Sequence, residues 1–307
     1  MIEVMFSAKT KGFTCGIIAA VTYGMNPLFT LPLYEEGLNA DSVLFYRYGL
    51  AIVLLALLMK WKGESFRLQK KEIIPLVLAG LIFSSSSLLL FLSYNYMDAG
   101  IASTILFVYP VLVALIMMIC FHERISPIVW GGILLALCGI SFLSKGTDGA
   151  PLSLVGLVFI LLSSLSYAVY IVGVNQSILK NISIMRLTFY ALVFGVLIYV
   201  VRLDFCMNLV PVRSVGGWCN VLALASLPTV VSLMCTTTAI HHIGSTPTAI
   251  LGALEPVTAL FFGVTLFHEQ LTPKIMLGIL MVLTAVTLIV VEKPVRERLR
   301  QRLRHLR

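Results

Sequence analysis

The sequence predicts an all-α membrane protein in which ten transmembrane helices form two inverted five-helix repeats. Composition is the first reason: hydrophobic residues make up 59% of the chain and charged residues 12%, far from a soluble domain. The second is length, because ten apolar segments can each cross a hydrocarbon core of ~30 Å, which takes ~20 helical residues. The third is a repeat. Pro110-Val111, Phe121-His122-Glu123, Pro127 and Gly132-Ile133-Leu134 recur as Pro256-Val257, Phe267-His268-Glu269, Pro273 and Gly278-Ile279-Leu280, 146 residues later. Ten of the 28 aligned positions are identical, counting Leu137 with Leu283. Apolar matches come cheaply in such a chain, but a repeated Phe-His-Glu and two prolines in register do not. Each copy has five apolar segments, an odd number, so the second copy must cross the membrane upside down relative to the first.

The elements follow in order. The first span, 12–34, carries Tyr23-Gly24-Met25-Asn26-Pro27, and the second, 41–60, carries Arg47 near its start. The third, 73–95, contains Ser84 to Ser87, and the fourth, 99–121, is interrupted by Tyr109-Pro110. The fifth is short, at 127–144, and the sixth, 153–174, holds Ser163, Ser164, Ser166, Tyr167 and Tyr170. Spans seven and eight, 183–202 and 217–240, follow, the latter with Thr236 to Thr238. The ninth, 245–267, contains Glu255-Pro256, and the tenth is 274–291. Helices are expected because every backbone group in lipid has to be satisfied within its own segment. The runs are too long and continuous for the ~10-residue alternating strands of a barrel. The first segment is also too long for a signal peptide and lacks a small-residue cleavage site after it. The expected domains are residues 1–147 and 148–292 as the two repeats, with 293–307 as a basic tail.

Lysines and arginines set the expected orientation. With the N-terminus inside, the inner segments hold 17 of them and the outer segments four, with Arg47 in a span. That bias puts both termini in the cytoplasm. The net charge of +8 is then topological, and no nucleic-acid partner is expected. In the tail, Leu299 and Leu303 lie one turn apart among arginines, which suits either an amphipathic helix on anionic lipid or a topogenic anchor.

The first-span motif and the endings of the two halves carry a resemblance. The second half ends in Leu254-Glu255-Pro256-Val257, then Glu269-Gln270-Leu271-Thr272, Gly278 and Ala285. Together these resemble the EamA family of the drug/metabolite transporter superfamily, over residues 12–291. The resemblance implies two five-helix repeats moving small metabolites, often as an exporter of amino acids or related compounds, in a cell membrane such as the bacterial inner membrane. Tyr23 stands where the family more often has Trp, and Tyr167-Ala168 replaces the opening motif in the second half.

Glu255 is the clearest site candidate. A bare carboxylate about ten residues into a span costs at least ~2.5–3 kcal/mol, so it must be neutral, paired or facing a wet cavity. It could then carry a coupling proton, or it could be a structural pair. Pro256 beside it is expected to release the Gly252 carbonyl. Tyr109-Pro110 is its repeat equivalent, and matched helix breaks point to a transporter site. Asn26-Pro27 offers an amide beside a third break, to a ligand or to the opened backbone. Tyr109 and Tyr167 are expected to line the cavity, together with the breaks at Pro27, Pro110 and Pro256. For Arg47 the simpler reading is snorkelling or pairing with Asp41 or Asp98, with a substrate carboxylate as the lesser one. Serine and threonine runs in spans three, six and eight suit close helix packing.

No catalytic residue, metal site or cofactor is expected. The His-Glu pairs lack zinc-helix spacing, and no Walker loop is present. The alternatives to a metabolite exporter are proton-coupled multidrug or quaternary-amine efflux, an intramembrane enzyme, and a channel. The expected partners are a small-molecule substrate and the lipid bilayer, with the chain as monomer or homodimer. The six cysteines show no framework spacing, so six free thiols are expected, including Cys206 and Cys219 in the loop between spans seven and eight.

Overall fold

The computed structural model describes residues 2–122, 126–143, 153–243, 248 and 250–305, apart from the side chains of 2–8 and 293–305. Among them every regular element is helical. Eight spans are long and apolar enough to cross a membrane: 9–35, 40–62, 70–93, 99–121, 154–176, 184–202, 215–243 and 273–292. Two shorter apolar helices, Pro127–Leu143 and Leu254–Leu266, take the fifth and ninth places. The tenth helix does not end at the tail and continues to His305. Both the 147/148 repeat boundary and Glu123 lie outside the described residues.

Breaks fall where the sequence interrupts its helices. In the fourth span, helix Ala99–Leu106 stops at Phe107 and Val108, and helix Tyr109–Phe121 begins with Pro110 in its first turn. In the ninth, residues 252 and 253 turn before helix Leu254–Leu266, with Pro256 in its first turn. Proline is tolerated there because the first-turn N–H groups have no intrahelical partner. Phe107 and Ala253 are 146 residues apart, so the two breaks are repeat equivalents. The first span breaks at Met25, whereas its repeat partner Leu154–Gln176 is continuous. The eighth opens into a wide π turn over Ser226–Val231, whereas the third, Lys70–Ser93, runs unbroken.

The packing has a pseudo-two-fold pattern. Span one packs on eight and nine, and span six packs on three and four. Two packs on seven, four on nine, and five on ten. Exchanging each span for its repeat partner maps this pattern onto itself. Close approaches rest on glycine. A Cβ at Gly139 would stand 2.9 Å from the Gly278 carbonyl, and one at Gly195 would stand 3.0 Å from the Gly80 carbonyl. Hydroxyls add bonds between spans: Ser163 donates to the Ser86 carbonyl at 2.7 Å while Ser86 donates to the Ser163 carbonyl at 2.8 Å. Ser164 reaches the Leu106 carbonyl at the fourth-span break, 3.1 Å away. The serine runs therefore pack helices, as the sequence suggested. Tyr94 is buried, and Tyr34 donates to the Phe91 carbonyl at 2.8 Å.

The bundle has a terminal face, carrying both chain ends, and a far face. At the far face Arg202 grips Asp41 at 2.6 and 3.1 Å, and Ser214 donates to Glu36 at 2.8 Å. The repeated histidines are helix stops: His122 and His268 take left-handed conformations with φ 54 and 56. After His268 the chain turns back, the Glu269 N–H bonds to the Gly263 carbonyl, and the Glu269 carboxylate accepts from Ala99 N at 2.7 Å and Gly100 N at 3.2 Å. It thus caps the N-terminus of the fourth span from the other repeat. Gly263 leaves room for it, since a Cβ there would collide with the carboxylate.

Two outcomes are expected. Gly139→Val should cost about 1–3 kcal/mol by forcing spans five and ten apart, whereas Gly131→Ala, with open space around it, should leave the melting temperature in detergent unchanged. Burial and the neighbouring Asp98 raise the Glu269 carboxyl to about 7, against 4.5 ordinarily, although the two N–H donors oppose this. The native state therefore holds the proton where the unfolded state has lost it, and stability falls as pH rises from about 4.5 through about 7. Melting temperatures across that window should fall less in Glu269→Gln than in the wild type.

Candidate functional site

The breaks converge on a cavity of about 370 Å³ lined by both repeats. Its lining runs from the middle of the bundle toward the terminal face: Gly16, Ala20 and Tyr23 from span one, Phe83 from three, Tyr109 from four and Tyr167 from six. Span eight adds Thr229, Ser232 and Thr236, and span nine adds Gly252 and Glu255. A second cavity of about 360 Å³ meets it at Leu233 and is lined by Lys62, Glu64, His241 and His242 near the terminal face.

Glu255 lies in the first turn of its half-helix, where aligned backbone dipoles favour negative charge. Its carboxyl makes no hydrogen bond or ion pair among the described residues. The backbone does not match the expectation that Pro256 leaves the Gly252 carbonyl open, because Glu255 N donates to that carbonyl at 2.9 Å. The short turn consumes the freed acceptor. Gly24 is packed directly against this break, and a Cβ there would stand 2.5 Å from the Glu255 carbonyl oxygen.

Aromatic rings make one wall. Tyr109 and Tyr167 meet edge to face with centroids 4.7 Å apart. Phe83 lies 6.3 Å from Tyr167, 5.1 Å from Tyr170 and 6.4 Å from Tyr48. Such rings present both a π face and, for tyrosine, a hydroxyl tip.

Asn26 is placed beside the main cavity, not in its wall. It lines a small void of about 20 Å³ shared with Tyr23, Tyr109, Tyr167 and Glu255. Its amide nitrogen donates to the Tyr23 carbonyl at 2.8 Å, so it bridges the backbone opened at Met25, while its buried oxygen has no partner. Pro27, Pro110 and Pro256 do not line the cavity. They start the half-helices, and it is their neighbours Tyr109 and Glu255 that face inward. The proline in the wall is Pro228, within the π turn of span eight.

Arg47 departs from the simpler expectation. It is 5% exposed, lines the cavity, and donates from Nε to the Thr229 hydroxyl at 3.0 Å. Its guanidinium lies 5.4 Å from the Phe91 ring centroid. Asp41 is engaged by Arg202 instead. The contact to Thr229 spans 182 residues, and only Pro228 inside an apolar run hinted at the distorted turn that presents it.

Comparisons with known proteins agree with this architecture. The model of the EamA-like transporter family matches residues 10–145 and 154–291. An uncharacterized transporter of Bacillus subtilis (strain 168), YcbK, is 26% identical over 276 residues, covering 83% of this chain and 85% of its own. An uncharacterized transporter of Archaeoglobus fulgidus is 26% identical over 252 residues, covering 78% and 82%. One solved crystal structure superposes with a TM-score of 0.66 at 14% identity, covering 95% of this chain and 98% of that one, a likeness of fold.

Gly24→Val should push span one off the Glu255 turn and lower both thermal stability and any ligand-induced stabilisation. Gly173→Val, with open space around it, should leave both unchanged.

Proposed function

Because the chain belongs to the EamA-like transporter family, we propose that this integral membrane transporter exports small metabolites such as amino acids or related compounds by alternating access. The observation that carries the reading is the Glu255 carboxyl, without a partner among the described residues, in a cavity built where the repeat-matched breaks meet. A volume of about 370 Å³ suits a molecule of that size. The far face is held by Glu269 on the fourth span, Arg202 on Asp41 and Ser214 on Glu36. Toward the terminal face the cavity adjoins a second one. With the termini in the cytoplasm, as 17 inner against four outer lysines and arginines favour, this arrangement faces inward. Loading would occur from the cytoplasm of a cell such as a bacterium, across its inner membrane. Rocking of one repeat against the other would then open the far face.

Glu255 carries the coupling proton in this scheme. Its carboxyl, which has no partner among the described residues, takes a proton on one side and releases it where water reaches it. A second reading, efflux of quaternary amines, draws support from the Phe83, Tyr48 and Tyr167 rings, since aromatic faces attract organic cations.

In proteoliposomes, Glu255→Gln should abolish the pH dependence of net transport while substrate exchange survives, because Gln preserves size and hydrogen bonding but does not titrate. Retained pH dependence in a stable, active Glu255→Gln protein would remove the coupling role. Exchange and net flux falling together would make Glu255 a substrate ligand instead.

A further inference from the structure

We propose that Arg47, held in place by Thr229, forms an anion subsite that receives the carboxylate of the transported molecule. The proposal rests on the transporter reading of the cavity and adds the chemistry of one end of its substrate. A buried guanidinium has a large desolvation cost, which proteins ordinarily meet with a carboxylate. Arg47 is 5% exposed and has no carboxylate within ion-pair distance among the described residues. The acid nearest in sequence, Asp41, is held by two hydrogen bonds from Arg202. Glu255 lines the same cavity without forming an ion pair to Arg47. The cavity therefore contains a buried cation that no carboxylate among the described residues pairs with directly.

The local geometry orients that cation. Pro228 has no N–H to give the helix, and the chain widens into a π turn there. Thr229 donates its hydroxyl to the Leu224 carbonyl at 3.0 Å, and the same oxygen accepts Arg47 Nε at 3.0 Å. The guanidinium carbon also lies 5.4 Å from the Phe91 ring centroid, within cation–π range. With Nε engaged, the two terminal nitrogens make no hydrogen bond among the described residues. Their planar fork matches the two oxygens of a carboxylate, which a lysine ammonium would meet only as a point charge. Arg47 belongs to span two and Thr229 to span eight, so the subsite joins the repeats.

The test uses purified wild-type protein in proteoliposomes and matched pairs of labelled compounds: L-leucine with isoamylamine, and L-phenylalanine with phenethylamine. Counterflow is measured for each, alongside the thermal shift of the detergent-solubilised protein. At least one amino acid should exchange about tenfold better than its decarboxylated partner, the worth of a charge-assisted hydrogen bond. Arg47→Gln should erase that ratio, while Arg47→Lys, which keeps the charge, should retain part of it. Thr229→Val should reduce the ratio with Arg47 still present. Equal exchange of both members of every pair in the wild type would overturn the subsite and leave a transporter of amines. Exchange of no compound in any pair would overturn the amino-acid reading and the subsite with it. If Arg47→Gln melts far below the wild type, the ratios in Arg47→Lys and Thr229→Val decide, and ratios unchanged from wild type in both overturn the proposal.

Discussion

A backbone amide or carbonyl left open in hydrocarbon costs several kcal/mol, so a span that interrupts its helix must place the interruption against protein or a polar cavity. Among the described residues, spans one, four, eight and nine are interrupted or distorted, and all of these breaks border the same central space. The freed groups are satisfied locally and by neighbours: Gly252 by the Glu255 N–H, Tyr23 by the Asn26 amide, Leu106 by Ser164, Leu224 by Thr229. The cavity is the region into which broken helices could be gathered. Its position follows from the prolines, although most of them do not touch it.

Duplication supplies the second level of order. With glycines at the crossings, paired spans approach until backbone meets backbone, as at Gly139 on Gly278 and Gly80 on Gly195. Without a hydrophobic driving force between helices in lipid, such approach and the Ser86–Ser163 bonds are what hold spans together. Glu269 extends the same logic beyond the apolar layer, since one repeat supplies the acceptor that the other repeat's helix end lacks.

Much of this was legible in the sequence because it is local or periodic. Ten apolar runs, a 146-residue repeat and a carboxylate beside a proline are read along the chain, and they located the spans, the matched breaks and Glu255. What could not be read depends on distant residues meeting. Arg47 was expected to seek the nearby Asp41, but Asp41 is taken by a residue 161 positions away and Arg47 by one 182 positions away. The π turn needed a register error in a helix that composition alone describes as regular. The role of Glu269 as an acceptor depends on a helix end from the other half, which no local pattern marks. Asn26 stood between two readings, and its nitrogen is used for backbone support.

The two halves are not true copies. Span one is jointed at Met25 where span six is a single rod, and span eight is swollen at Ser226–Val231 where span three is straight. In a perfectly duplicated carrier a two-fold rotation about an axis in the membrane plane would turn the conformation opening to one side into that opening to the other, and the two would have equal energy. Unequal joints remove that degeneracy. Under the proposed alternating access, the empty protein would then have a ground state and an excited state, and its resting population would be skewed before any gradient or ligand acts. Such a skew cannot create net flux, but it determines which side of the membrane the vacant carrier waits on.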